Sequence, residues 1–179
     1  MSKNNVSVRK FIQDYLIDQI GDIKNTNPYF AFLLMAVGIE FLGKCQNEHD
    51  WDDYKLIQPR DNFNNGLKIG TLKKYANKDF YDKLRNGLAH ALLIKKGVKL
   101  SEGEYEDALN SNTLYQDFKI ACNEVINAAK GEDGILRTSE GIEIKKDLDA
   151  TFFYVSEKHN VDGDIFSITA TTQYNNTTI

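Results

Sequence analysis

Residues 28–45, PYFAFLLMAVGIEFLGKC, constrain the fold more than any other stretch, because they are apolar nearly all round. Asn27 and Pro28 mark a helix start: Asn accepts from first-turn amides that lack partners, and Pro fits the first helical position. A helix without a polar face must be wrapped by other elements or by lipid. This one is too short and too interrupted to prefer a bilayer, so the sequence predicts the central buried helix of a bundle. Glu40 is its only charge before Lys44. An unpaired carboxylate is expensive to bury. Its long side chain favours a place at the rim, reaching water or a Lys, over the alternative of a fixed partner for a cation.

Amphipathic segments flank this run. Val8, Phe11, Ile12, Tyr15, Leu16 and Ile20 recur at helical spacing over residues 6–20, with Gly21 as the expected stop. Residues 48–66 are polar, aromatic and rich in turn formers, which predicts a long loop. Its Glu48, His49, Asp50, Asp52 and Asp53 lack a partner cluster elsewhere and read as a solvated acidic loop, not a metal site. Thr71 is expected to cap a short helix, LKKYA. Asn77 or Asp79 then caps a longer one over residues 79–96, with Asp82 near its positive end, stopping before Gly97. Ser101 to Glu104 has capping-box spacing, and a better box stands at Thr113 to Gln116. The helix after it carries Leu114, Phe118, Ala121, Cys122, Val125 and Ala129 on one stripe and is expected to run to Gly131.

At residue 132 the texture changes. Ile135–Arg137 and Ile142–Lys146 flank a Ser-Glu-Gly turn, and Thr151–Ser156 and Ile165–Thr172 flank Asn160 to Gly163. The β-branched and aromatic enrichment predicts a small antiparallel sheet that must pack on the bundle or on a partner. His159 falls in this turn region as a surface residue. The fold class is therefore mainly α: an up-and-down bundle of four to five helices over 1–131, with a small antiparallel β appendage over 132–179.

The stretch 79–96, DFYDKLRNGLAHALLIKK, carries the chemistry. Phe80, Leu84, Leu88, Ala91 and Leu92 gather on a core-facing stripe, while Asn86 and His90, four apart, share the opposite face. Arg85 projects from the flank, with a stem long enough to swing its guanidinium toward His90. A permanent cation and a base that titrates near neutrality thus share one helix. RNGLAH, Arg85 to His90, resembles the Arg–(four to six residues)–His motif of the HEPN superfamily (higher eukaryotes and prokaryotes nucleotide-binding), in which Asn commonly follows the Arg. The resemblance implies a helical bundle, a homodimer with both motifs lining an interface cleft, and a metal-independent endoribonuclease without cofactor.

It also implies roles. Arg85 and His90 would be catalytic, and Asn86 would orient the imidazole or bond the phosphate. Read from the residues themselves, Glu40 is the candidate to support them by orienting Arg85 or tuning His90, and Lys78, Lys83 and Lys95 of the surrounding basic stretch are candidates to bind substrate. Metal-free RNA cleavage needs a base near the 2′-OH, an acid near the 5′-oxygen and positive charge on the phosphate. Two-fold pairing would supply two histidines and two arginines to one cleft. Gly87, unfavourable within a helix, makes sense where a partner backbone approaches. Leu92 stands where the subgroup paired with a nucleotidyltransferase antitoxin has an adenylylated Tyr, so that control mechanism is not implied. A toxin or phage-defence role, with an antitoxin or other regulator as partner, follows by analogy alone. A non-catalytic bundle that binds RNA, a nucleotide or a protein partner and a purely structural dimer are the competing readings of the same face.

Composition narrows the setting. The chain has 41% hydrophobic and 27% charged residues, as a globular domain with a real core does. No apolar run suits a membrane span or a secretory leader, and Cys45 and Cys122 lack CxxC spacing, which reads as buried reduced thiols in the cytoplasm. The net charge of −4 argues against broad nucleic-acid affinity. Yet eight lysines and Arg85 stand against only Asp79 and Asp82 between Lys68 and Lys99, a local basic segment consistent with one phosphate-binding cleft or with an ordinary solvated face.

Overall fold

The computed structural model describes residues 4–51, 59–78, 80–86, 99–101, 108–149 and 152–155. The fold is mainly helical with a few short strands, as the sequence predicts. Strand β1 (Asn4–Ser7) leads into helix α1 (Val8–Phe11), whose first amides are capped by Ser7, its Oγ accepting from the Lys10 N–H at 3.3 Å. The helical path continues through wider π-type turns at Ile12–Gln19 into α2 (Ile20–Thr26). Gly21 is therefore not a stop. It lies within α2 because Tyr115 packs where a Cβ would stand, its hydroxyl donating to the Ile17 carbonyl at 2.9 Å. The chain breaks instead at Asn27.

Helix α3 (Pro28–Lys44) begins as expected, Asn27 Oδ1 accepting from the Phe30 N–H at 3.0 Å. Ala31, Phe32, Met35, Ala36, Ile39 and Leu42 are buried on its inner face. Its burial is one-sided, however: Tyr29, Phe30 and Val37 stay exposed. Residues 59–66, expected in a loop, form helix α4 (Pro59–Gly66), packed tightly on α3. Here tertiary contact overrides the poor helix propensity of PRDNFNNG. A Cβ on Gly43 would overlap the Asn62 carbonyl, and one on Gly66 would overlap the Ile39 carbonyl, so the two backbones touch through both glycines. Phe63 is fully buried at the same seam.

A 3-10 segment (Gly70–Lys78) occupies the place of the expected LKKYA helix, but Thr71 does not cap it; its hydroxyl donates to the Asp117 carbonyl at 3.4 Å. Ser101 ends strand β2 (Lys99–Ser101), which pairs in parallel with β3 (Ala108–Asn110); the rest of its expected capping box, 102–104, lies outside the described residues. Helix α5 (Ser111–Ile126) is capped by Asn110 Oδ1 on the Thr113 N–H at 2.9 Å, one turn before the expected box. Leu114, Phe118, Ala121, Cys122 and Val125 are buried as predicted. The helix ends well before Gly131, and Ala129 is an exposed strand residue. Arg9 occupies the helix end, its guanidinium donating to the Ile126 carbonyl and, at 3.1 Å, to that of Ala128. Such a cation suits the negative end of the helix dipole.

Strands β4 (Ala129–Lys130), β5 (Leu136–Arg137) and β6 (Glu143–Ile144) form an antiparallel sheet, the last two joined through Gly141 at φ +82°. Residue 132 marks a change of texture but not an edge of the core, since Ile144 and Leu148 join the same buried cluster as Phe118. Glu124 accepts from the Ser139 hydroxyl at 2.6 Å, and Glu140 accepts from Lys73 at 2.6 Å and the Gly70 N–H at 3.3 Å, fastening the hairpin to α5 and the 3-10 segment. Strand β7 (Phe152–Val155) pairs antiparallel with β1, bringing the first strand and the tail together. Residues 160–172 and His159 lie outside the described residues. Among the described residues, no helix is long and apolar enough to cross a membrane.

Candidate functional site

The motif segment starts at Phe80 and continues as a π-type turn, Tyr81–Asn86. Phe80 and Leu84 are buried, as the predicted stripe requires, and they anchor the segment against the bundle. Leu88, Ala91 and Leu92 lie outside the described residues, as do Gly87, His90 and Lys95; so do the side chains of Asn86, Lys78 and Lys83. Arg85 is the motif residue whose surroundings are defined.

Arg85 Nε donates to Glu40 Oε2 at 2.7 Å, and both side chains are about four-fifths buried. The structure thus gives Glu40 the less favoured of its two sequence readings: it is the partner of Arg85, with a minor part of its side chain still open to solvent. This follows from the packing of the motif segment directly on α3. The carboxylate offsets the desolvation of a guanidinium that cannot lose its proton, and fixes its direction.

Around this pair stand residues that sequence reasoning missed. The guanidinium carbon of Arg85 lies 5.7 Å from the Tyr81 ring centroid, and that of Arg60, from α4, lies 5.2 Å from the same centroid. Both fall within cation–π range. Arg60 Nη2 also reaches both oxygens of Asp82, at 2.6 and 2.7 Å. Tyr81 meets Phe63 edge-on at 5.7 Å, which ties the ring to the buried side of α4. Two arginines from separate elements therefore share one aromatic ring, each with its own carboxylate. Pro59 followed by Asp61, a helix opening with an acidic first turn, was the available signal for α4 and hence for Arg60.

Beneath the segment, Tyr75 stacks on Phe80 at 5.2 Å and its hydroxyl donates to Asp117 Oδ2 at 2.5 Å. The same oxygen takes Lys74 Nζ at 2.7 Å. Burial, aided by the hydrogen bond to Asp117, pushes the Tyr75 phenol far above its ordinary range, so it stays protonated. Lys73 and Lys74, two members of the basic segment, are paired with Glu140 and Asp117 of this chain. The segment's charge is thus partly structural.

The acidic loop after α3 is held from behind. Lys44 donates to the Trp51 carbonyl and Lys146 to that of His49, while Glu48 lies 3.7 Å from Lys145; Asp52 and Asp53 lie outside the described residues. A pocket of about 630 Å³ between the short strands, lined by Lys130, Ile135, Leu136, Ile144 and Leu148, includes no residue of the Arg85 cluster. Cys45 and Cys122 are free and buried, as predicted. Comparisons with protein-family models, with curated proteins and with solved structures find no match for this chain.

Proposed function

We propose that the chain is a metal-independent endoribonuclease of the HEPN type, acting as a cytoplasmic homodimer on RNA. The observation that carries this reading is the fixing of Arg85, the first residue of RNGLAH, by Glu40 at 2.7 Å, with both side chains largely buried. A guanidinium held this way is preorganised for charge developing on a phosphate, which is worth more than the same group left to move. His90 supplies the proton transfers, as base toward the 2′-OH or acid toward the leaving 5′-oxygen, a role open to an imidazole at neutral pH. A second protomer contributes the other imidazole. The products are a 2′,3′-cyclic phosphate and a 5′-hydroxyl, and DNA is not cut. A toxin or phage-defence role, under a regulator such as an antitoxin, fits this activity.

The test is incubation of total RNA with the wild type, Arg85→Ala and His90→Ala, with end-group analysis of the fragments. Cleavage that follows a histidine-like pH profile and vanishes in both variants is expected. Full activity of a clean His90→Ala preparation would refute the nuclease. RNA binding without cleavage, sensitive to salt and indifferent to His90, would instead make the chain a binding module.

A further inference from the structure

We propose that Arg60 is a second phosphate-binding residue of the same site, set beside Arg85 by Tyr81, so that a single RNA strand is held at two phosphates. The choice of ligand rests on the nuclease reading; the pairing of the two arginines rests on geometry alone. Arg60 comes from α4 and Arg85 from the motif segment, yet both guanidinium carbons lie within 6 Å of one ring centroid. They are therefore no more than about 11 Å apart, within reach of phosphates on one strand.

The two arginines differ in exposure. The Arg85 side chain is 19% exposed and that of Arg60 is 53% exposed. A cation so open contributes little to stability through its ion pair with Asp82, so the pair does not by itself account for the placement of a guanidinium here. Both contacts to Asp82 are made through Nη2, which leaves Nε and Nη1 outside that pair. A planar fork anchored at one corner and laid over an aromatic ring is preorganised to receive a phosphate on its other edge. Asp82 orients the group and Tyr81 limits its swing. Arg60 has no part in proton transfer. It is a substrate-positioning residue, and removing it weakens binding without touching the chemistry.

The experiment uses the full chain carrying His90→Ala, which binds without turnover, and a fluorescein-labelled oligouridylate read by fluorescence anisotropy over a salt series. Adding Arg60→Ala is expected to weaken binding roughly tenfold and to lower the slope of log affinity against log salt by about 0.7, one phosphate contact on a single strand. Arg60→Lys keeps the slope but recovers only part of the affinity, because the charge remains and the fork is lost. Thermal melts should be unchanged for both, as befits an exposed side chain. In the cleaving background, Arg60→Ala raises KM and leaves kcat as it was. Affinity and slope within twofold of the parent would overturn the proposal, as would a parent showing no salt-dependent binding. If the wild type cuts RNA while Arg60→Ala binds like its parent, only this inference falls. If nothing is cut but Arg60→Ala still loses a contact, only the nuclease falls.

Discussion

Helix α4 has two sides governed by different physics. Its inner side meets α3 backbone to backbone through Gly43 and Gly66, a steric seam with no room for one more methyl group. Its outer end carries Arg60 to Tyr81 and Asp82, where charge, distance and a ring decide the arrangement. The seam is indifferent to salt and pH but intolerant of volume. The rim tolerates volume but answers to charge. A site resting on such a helix inherits its rigidity from one side and its chemistry from the other.

That contrast is open to direct attack, most severely at the seam. Gly43→Ala or Gly66→Ala forces backbone apart, and a loss of about 3 kcal/mol is expected, toward the upper end for overpacking. A melting point lower by roughly 6–12 °C, equally at low and high salt, would bear this out for a chain of this size. A drop under 2 °C would show that the helices can slide apart freely.

Tyr75→Phe, beneath the rim, should remove about 2 kcal/mol, a buried hydrogen bond to a charged acceptor. Because the fold keeps this phenol protonated above its ordinary pKa, it favours the folded state less once the unfolded chain ionises. Wild-type stability should therefore fall as pH rises past about 10, and the Phe variant should show a flatter alkaline limb. An unchanged limb would remove Tyr75 from the account.

At the rim, Glu40→Ala should lower stability by only about 1 kcal/mol, since the pair keeps some solvent contact. RNA cleavage should fall further than stability does, because Arg85 loses its direction; equal losses would make the pair merely structural. Glu140→Ala breaks an exposed pair with Lys73 and should shift stability by less than about 0.5 kcal/mol at neutral pH. The smallest response expected is none. Burial pushes the Cys45 thiol up to about 12 and holds that of Cys122 well above its ordinary value, so a thiol reagent at pH 8 should label neither until the protein is denatured. Rapid native labelling would mean that the core opens.

What the residues disclosed in advance divides along the same line. The start of α3 was legible because Asn27 and Pro28 are local signals, and the buried stripe of α5 because periodicity is local too. Helix α4 was less so, because beyond the local signal of Pro59 and Asp61 its support comes from contact with Gly43, far from it in sequence. Gly21 looked like a stop for the same reason; its actual use is to admit Tyr115. The wheel of 100° per residue predicted Phe80 and Leu84 correctly but could not anticipate a π-type turn, in which Arg85 lies over Tyr81. Glu40 showed its oddity as a lone charge, while its partner could be chosen only once α3 and the motif segment had met. Arg60 went unread because Pro59 and Asp61, the local signal for its helix, stood inside a stretch read as a loop.

The touching backbones have one more consequence. Because nothing intervenes between α3 and α4, their spacing works as a gauge block that fixes how far the exposed arginine stands from the ring. An alanine at either glycine would lift α4 outward and carry that arginine away with it. Any tuning of ligand grip must then be written at the helix's open end, since its other side has no adjustment left to give.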